Sequence, residues 1–366
     1  MTETRTTPVT TVPETVEIAV IGGGIGGAAA AVALRHAGFD AHVFERAQEL
    51  KEIGGAVVIR QPSIDLFDLW GVGAAFRQQA VAVPGVEVRH PASGEVVAQH
   101  RLDADGTGAA WSAHRADVHS ALLGALPPDA VHLGLTTERV ETDDDGATAF
   151  FEDGSQVHAR LLIGADGIRS VTRRLISDDE MLFAHLVVIR STVPASALPD
   201  GLSNDTIRLW GNQPLALATL PLRAGSTVAL DTIIHADVPP EHLWTSEVPL
   251  SELAERFADF DPAVPALIAG SSAMVKANPV YDRDPLTSWS TGSVTLLGDA
   301  AHPMAPRMGQ GANSAIQDAG ALATALTTSG LHDVQAALAE YERVRIPQAT
   351  AMQLGSRHAP APAGAR

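Results

Sequence analysis

The stretch that decides the fold is Val16-Glu17-Ile18-Ala19-Val20-Ile21-Gly22-Gly23-Gly24-Ile25-Gly26-Gly27. Its opening residues are mostly apolar and predict a buried strand, and Gly22, Gly24 and Gly27 place the spacing G-x-G-x-x-G directly after it. An alanine-rich run to His36 then predicts a helix, and Ala41–Glu45 predicts a second strand. Strand, helix and strand within about thirty residues predict a right-handed βαβ unit with parallel strands.

This glycine spacing predicts a site for a dinucleotide. The first glycine permits a tight turn, the second lets the backbone approach a pyrophosphate, and the third allows the helix to pack closely on the strand. Ile25 and Gly26 open the helix, whose N-terminal N–H groups and positive potential favour an anion. Glu45 ends the second strand eighteen residues after Gly27, where a carboxylate accepts hydrogen bonds from an adenosine ribose. The alternative interpretation is a glycine-rich turn without a ligand.

Composition narrows the function classes. The chain has 366 residues, a formal net charge of −18 and no cysteine. At about 100 to 200 residues per domain, two domains are expected. The missing cysteines exclude disulfides, a thiol nucleophile and cysteine-based metal sites, so redox chemistry would need a cofactor; no metal site is predicted. The acidic excess argues against nucleic acid and anionic membranes as partners. We expect a cytoplasmic protein, monomeric or homodimeric, with disordered tails over 1–15 and 359–366.

In the rest of the chain, segments typical of α/β structure alternate with segments rich in predicted strands. The sequence predicts a hairpin over Val86–His100, a helix over Ala116–Leu126 and a β-meander over Val131–Val157. After a β-rich region over residues 185–283, it predicts a buried strand over Ser293–Gly298 and two helices, over Gly311–Leu326 and Val334–Arg345.

Two further motifs follow predicted strands. Leu161–Ser170 is an apolar strand that continues through Asp166 and Gly167 into a predicted helix. Val294–Pro303 carries Asp299 at the carboxyl end of a buried strand, where α/β sheets place ligand-contacting groups. Pro306 and the segment Gly309–Asn313 come next, at a predicted helix start that would direct positive potential at something negative or electron-rich.

These three motifs, in this order, resemble the class A flavoprotein monooxygenases, the para-hydroxybenzoate hydroxylase-like family. That family carries a G-x-G-x-x-G near the N-terminus, a D-G segment in mid-chain and a G-D segment before its last helices. His114–Val118 also looks like the family's arginine-containing segment. The resemblance runs from about Val16 to Arg357. It implies an α/β fold, with a discontinuous Rossmann-like FAD-binding domain of the GR2 type, an inserted β-sheet substrate domain and C-terminal helices.

The resemblance also implies a division of the chain. The FAD-binding domain would comprise residues 16–75, 111–184 and 284–328, and the substrate-binding domain residues 76–110 and 185–283. A C-terminal helix would occupy 329–358.

Site roles are carried over from the same resemblance. Gly22, Gly24 and Gly27 would hold the FAD pyrophosphate, with Glu45 on the adenosine ribose and Arg46 beside the adenine. Arg115 would reach the flavin side, and Asp299 the ribityl or pyrophosphate part. Pro306 would lie against the flavin ring, and Gly309, Gly311, Ala312 and Asn313 near its pyrimidine edge. Asp166, Gly167 and Arg169 would belong to the segment associated with FAD packing and NAD(P)H use.

The implied reaction leaves the difficult step to the cofactor. NADPH or NADH would reduce a non-covalently held FAD, O₂ would add to give a C4a-hydroperoxide, and one oxygen would pass to an aromatic or polyketide-like small molecule, in secondary metabolism or aromatic catabolism. Two alternatives stay open. One is an oxidase or dehydrogenase of the same fold without oxygen insertion, and the other is a catalytically lapsed relative that binds FAD or a ligand.

No catalytic residue is assigned. His302, close after Asp299, is either an acid or base near the flavin or part of a structural turn. Other residues are candidates for substrate contact, each with a structural alternative such as an ion pair or core packing; they are Arg60, Arg190, Arg208, Trp210, His235 and Met308.

Overall fold

The computed structural model describes residues 12–49, 55–102, 110–212, 214–239, 247–271 and 275–358. Most of the two predicted tails therefore lies outside the described residues. Within them the strands are β1 Thr15–Ile21, β2 Ala41–Glu45, β3 Ala56–Ile59, β4 Val81–Val83, β5 Gly85–Arg89, β6 Val96–Arg101, β7 Ala110–His114, β8 Val131–Leu133, β9 Thr137–Thr142, β10 Ala147–Phe151, β11 Gln156–Gly164, β12 Leu182–Pro194, β13 Ile207–Asn212, β14 Leu215–Leu222, β15 Thr227–His235, β16 Glu247–Val248, β17 Val275–Asp282, β18 Ser290–Thr291 and β19 Val294–Leu296. The helices are α1 Ile25–His36, α2 Gln61–Leu69, α3 Gly73–Gln79, α4 Arg115–Leu123, α5 Leu250–Glu255, α6 Ala263–Ala269, α7 Gly311–Ser329 and α8 Val334–His358.

The first sheet joins distant parts of the chain side by side. Its path is β18-β19-β11-β1-β2-β8, and the pairs from β19 to β8 are parallel. Strand alternation divides β1 between two cores. Ile18 and Val20 pack with α1 and α7, whereas Ala19 and Ile21 pack with the antiparallel strands β9 and β10. A strand buried on both faces explains the continuous apolar run that precedes the glycines.

Two predictions for this region are wrong in part. The meander comprises only β9, β10 and β11, because β8 pairs in parallel with β2 instead of antiparallel with β9. The backbone N–H of Leu135, just after β8, donates to the carbonyl of Glu45 and extends that pairing (2.9 Å). The helix expected after Asp166 is a short 3₁₀ turn over Thr172–Leu175.

The second sheet has the order β16-β17-β12-β15-β14-β13-β5-β6. The predicted hairpin of β5 and β6 is confirmed, and it joins this sheet through a parallel pairing of β5 with β13. On the outer face, Ile189, Trp210 and Leu217 pack against α5 and α6. The inner face carries the cross-strand neighbours Arg190, Asp231 and Ala218.

A small third sheet, β3-β7-β4, lies against the inner face. Ala56 and Val58 of β3 pack there with Leu220, Leu222 and Ala229. The third sheet joins the inner face to the layer formed by the first sheet and its helices, because Asn313 of α7 donates to the carbonyl of Val58 on β3 (2.8 Å). Of the helices in the described residues, none is long and apolar enough to span a membrane.

Candidate functional site

The glycine loop after β1 contains glycines of two kinds. Gly22 has φ +101°, and a Cβ there would lie 2.5 Å from the carbonyl oxygen of Ala165. A Cβ on Gly27 would lie 1.9 Å from the carbonyl oxygen of Gly22. Gly24 differs, because no heavy atom lies within 4 Å of its Cβ position. Gly22 and Gly27 are thus required by the fold, whereas Gly24 borders open space at the start of α1.

The start of α1 offers unpaired donors to a ligand. Gly24 is the N-cap residue and provides no side-chain cap, and the first turn holds no acidic residue. The first N–H groups of a helix have no partner inside it. An anion with several oxygens satisfies such donors and interacts favourably with the helix dipole. The open space over Gly24 therefore fits a pyrophosphate.

Glu45 closes the loop from the neighbouring strand. Its Oε2 accepts from the Gly23 N–H (2.6 Å) and its Oε1 from the Ala47 N–H (2.9 Å). These two bonds fix the carboxylate at the carboxyl end of β2 and leave further lone pairs for a ribose. Arg46, the next residue, is exposed.

Helix α4 reaches the same loop. A ring nitrogen of His119 bonds the carbonyl oxygen of Gly23, and burial lowers the pKa of His119, so the ring is neutral at pH 7. Arg115 is the first residue of this helix, and its backbone N–H donates a hydrogen bond to the Gly55 carbonyl (3.0 Å). Arg115 is exposed. His119 was not among the predicted site residues, although its spacing of i, i+4 from Arg115 indicates a shared helix face.

The start of α7 forms the third part of the site. Gln310 gives no side-chain cap, so the first N–H groups are again available. Asp299 is exposed, and its Oδ1 lies 3.9 Å from the Cβ position of Gly311. Asn313 is fully buried and accepts from the Arg60 N–H (2.8 Å) while donating to the Val58 carbonyl (2.8 Å). Its amide thus holds the helix start in place, and the backbone of Gly311 and Ala312 is left for a ligand.

The turn over Pro306–Met308 precedes this helix. Pro306 is exposed, and Gly309 after it adopts φ +61°. Met308 packs toward α8, since its Sδ lies 3.3 Å from the Cβ position of Gly355. Arg307 donates to the carbonyl of Arg357 (2.9 Å) and lines a cavity of about 300 Å³ beside the start of β12.

His302 lies behind the site. Its Nε2 is 2.6 Å from Oδ2 of Asp318, and Arg345 Nε donates to the other carboxylate oxygen (2.7 Å). All three side chains are buried, and the His302 ring also packs on Trp289. The structural interpretation of His302 is therefore the one that fits, and we drop it as an acid or base at the flavin.

Asp166 also differs from its expected role. Its Oδ2 accepts from the N–H groups of Val171 (2.8 Å) and Thr172 (3.2 Å), so the carboxylate caps the 3₁₀ turn. Burial raises the pKa of this carboxyl, and the hydrogen bonds oppose that shift. Its side chain shapes the loop below Gly22 instead of facing a ligand.

The substrate candidates fall on two faces. Arg208 pairs with Glu87 (3.1 Å) and Trp210 donates to Asp261 (3.0 Å), both away from the inner face. We therefore withdraw Arg208 and Trp210. Arg190 lies on the inner face, and alternation along β15 places His235 there with Asp231.

Two candidates remain at the edges of the space. Arg60 caps the start of α2 with its backbone and donates to the Leu102 carbonyl at 3.5 Å. Burial and the charge of Arg307 lower the pKa of His235, which is half-buried. The sequence analysis missed Arg307 and Asp231, because an isolated charged residue in a loop or strand carries no motif.

Known proteins match this arrangement over nearly the whole chain. A family model described as "FAD binding domain" matches residues 15–355. A 3-amino-4-hydroxybenzoate 2-monooxygenase of Streptomyces platensis is 33% identical over 93% of this chain and 86% of its own length. A 3-hydroxybenzoate 6-hydroxylase of Klebsiella oxytoca is 34% identical over 90% of this chain and 84% of its own length.

A solved structure agrees with these relatives. Klebsiella pneumoniae HpxO complexed with FAD and uric acid superposes with a TM-score of 0.84 at 28% identity, covering 93% of this chain and 87% of that one. The glycine loop with open space over Gly24, the carboxylate of Glu45 and the uncapped start of α7 fit the same cofactor. The chain belongs to the class A FAD-dependent monooxygenases, and FAD is its cofactor.

Proposed function

We propose that this enzyme uses NAD(P)H and O₂ to hydroxylate a small, electron-rich aromatic molecule. One observation carries the proposal. The start of α1, the carboxylate of Glu45 and the start of α7 follow β1, β2 and β19, which run parallel in one sheet, so all three lie at its carboxyl edge. When bound and reduced, FAD supplies the electrons that activate oxygen. The protein must hold the ring, orient the substrate and exclude water.

The residues of the first layer would bind FAD. We propose the N–H groups around Gly24 for the pyrophosphate, Glu45 for the ribose with Arg46 nearby, and Arg115 and Asp299 for the flavin end. The unpaired N–H groups of Gly311 and Ala312 would stabilise negative charge on the reduced ring, because they stand at the positive end of α7. In this proposal residues 16–75, 111–184 and 284–328 form the FAD-binding domain, and 76–110 with 185–283 form the substrate-binding domain.

The second layer would cover the substrate. A ring between the inner face and Pro306 would be shielded by Val188 and Ala218, and the cavity beside Arg307 adds room for a molecule of that size. The pKa of His235 lies below its usual value, so its imidazole is neutral at pH 7 and can accept a hydroxyl proton. Two relatives are named for hydroxybenzoate substrates, and a phenol is the ring type we propose here.

Two further properties complete the proposal. A reductant drawn from the NAD(P)H pool fits a cytoplasmic enzyme. We propose a monomer or homodimer, which sedimentation of the FAD-loaded protein distinguishes.

The test is product formation by the FAD-loaded enzyme. We expect substituted phenols to stimulate NAD(P)H oxidation, and products to gain one oxygen atom that carries the label of ¹⁸O₂. Hydrogen peroxide as the sole oxygen product with every phenol would favour the oxidase alternative. A purified protein that takes up no FAD would contradict the assignment of the site itself.

A further inference from the structure

An open ion pair lies in the middle of the inner face. Arg190 of β12 and Asp231 of β15 are cross-strand partners, and Nε of the arginine is 3.8 Å from Oδ1 of the aspartate. This distance is too long for a hydrogen bond. Both atoms are buried, and neither has a hydrogen-bond partner in the part of the chain that the structure describes.

The cost concerns these two buried atoms, because the side chains of Arg190 and Asp231 keep 36% and 20% of their surface exposed. A buried charged group that lacks hydrogen bonds loses the solvation it had in water, and a carboxylate normally fills several acceptor positions. Accordingly, burial raises the pKa of the Asp231 carboxyl, and the charge of Arg190 opposes this only in part. By contrast, Arg345 and Asp318 in the first layer form a closed pair at 2.7 Å. The open pair therefore lacks hydrogen bonds that a third group can supply.

On one side the pair has a small neighbour. On β14, the cross-strand neighbour of Asp231 is Ala218, whose methyl group fills little of the adjoining volume. Next to it, Leu220 and Ala229 close the apolar end of the inner face together with Val58. A ring that lies against Ala218, which is only partly buried, would place its polar substituents at the pair.

The contacts of Gly55 show which layer the pair of Arg190 and Asp231 faces. A Cβ there would lie 2.4 Å from Cδ of Arg190 and 3.1 Å from Oδ1 of Asp231, so a side chain would displace the pair. The carbonyl of the same glycine accepts from the N–H of Arg115, which begins α4 at the proposed cofactor site. The pair thus faces the layer that holds FAD, whereas Trp210 and its neighbours on the outer face do not.

We propose that Arg190 and Asp231 together select the substrate by its polar substituents. Asp231 accepts a hydrogen bond from an O–H or N–H of the ring, and Arg190 donates to an acceptor on the adjacent ring atom. The substrate class is then an aromatic ring with a donor directly beside an acceptor, such as an ortho-hydroxy or ortho-amino carbonyl compound. This inference rests on the proposed function, because it assigns the ligand of that same site.

Three probes separate the two hydrogen bonds. Salicylamide carries donor and acceptor side by side, benzamide lacks the phenolic donor, and phenol lacks the carbonyl acceptor. We expect salicylamide to perturb the flavin spectrum of the FAD-loaded enzyme with a dissociation constant at least tenfold lower than either other probe, as hydrogen bonds to charged groups would give. Equal affinity for the three probes, or no spectral change with any of them, would overturn the proposal.

Variants of Asp231 test whether this residue causes the preference for salicylamide. Asp231→Leu should abolish the preference for salicylamide over benzamide, because it weakens the binding of salicylamide at least tenfold and leaves the binding of benzamide unchanged. Asp231→Asn, which keeps the shape of the side chain, should weaken the binding of salicylamide several-fold. Thr232→Val is the matched control, because this neighbouring buried residue lies on the other face of β15. FAD affinity should be the same in all four proteins. An unchanged preference in Asp231→Leu would refute the role of the pair while phenol oxygenation still stood.

Discussion

Gly24 and Gly27 show how differently two glycines of one motif are used. Gly27→Ala would force a methyl group into the carbonyl of Gly22, whereas Gly24→Ala would place it in the open space that we propose for the FAD pyrophosphate. We expect Gly24→Ala to leave the melting temperature of FAD-free protein nearly unchanged but to weaken FAD binding at least tenfold. Gly27→Ala should lower the stability of FAD-free protein by about 1–3 kcal/mol or more, as overpacking does.

Calorimetry of FAD-free protein and fluorescence titration with FAD measure the two effects separately. Equal loss of stability in both variants would contradict the distinction between a structural and a ligand-facing glycine.

For single residues, the sequence predicts which side chains can bind a ligand better than it predicts where those side chains point. Gly22, Gly24 and Gly27 carry a motif whose geometry is local, so their positions follow from the spacing. Trp210 and Arg208 do not, since alternation along a strand says that they share a face but not which face is covered. Helices α5 and α6, which the sequence analysis did not predict, decide it. Asp166 was placed near the right loop, yet its carboxylate turns inward to cap a 3₁₀ turn.

Between elements, the contact of α7 with α8 depends on a buried charge. Asp318 accepts from Arg345 and also from the N–H of Gly298 (3.1 Å). Burial alone would raise the pKa of this carboxyl, but His302 and Arg345 outweigh it, so the pKa lies below 3.8. We expect Asp318→Asn to lower the free energy of unfolding by about 3–5 kcal/mol, because it leaves a buried arginine unpaired.

The pH dependence of this effect has a defined sign. A carboxyl with a depressed folded pKa stabilises the protein fully above its unfolded value near 3.8 and loses that contribution as pH falls through the folded value. The stability gap between wild type and Asp318→Asn in urea should therefore be constant near neutral pH and shrink below about pH 4. Glu340→Gln is the control, since its pair with Arg343 on α8 is exposed and should leave stability unchanged. A gap that widens in acid would contradict the assignment.

Element boundaries followed the sequence where signals were local. The strand Ala41–Glu45 was predicted to the residue. The local pattern ends helix α8 at Arg345, whereas the resemblance implied a C-terminal helix over 329–358; α8 continues through Pro347 to His358. Distant partners account for the extension, because Arg357 pairs with Asp282 (2.7 Å). No local pattern encodes such contacts.

Over the whole molecule, FAD should affect the two layers unequally. The proposed contacts lie at the starts of α1 and α7 and on β2, while α5 and α6 cover the outer face of the second sheet. In hydrogen exchange at short times, we expect FAD to protect residues 22–27 and 311–315 and to leave α5 and α6 unchanged, because local openings report local contacts. Protection confined to the second sheet would contradict the placement of the cofactor.

The sequence predicts only part of the overall architecture. The βαβ unit follows from periodicity, but the neighbours of β1 do not, because β11 and β19 come from remote segments. Only the grouping of these segments in one FAD-binding domain was implied, by three motifs that resemble one family. The open pair of Arg190 and Asp231 had no such guide, since β-sheet register determines it.

The strand order also has a consequence for protein synthesis. Gly311 leaves the ribosome 287 positions after Gly24, so at ordinary rates of translation roughly 15 to 60 seconds separate the two halves of the cofactor site. Until β11 (Gln156–Gly164) emerges, in the first half of that interval, β1 lacks its neighbour on one side and exposes an unpaired strand edge. If FAD binds as proposed, its complete site forms only after most of the chain has been synthesised, and we expect the unpaired edge of β1 to make the nascent N-terminal unit prone to aggregation.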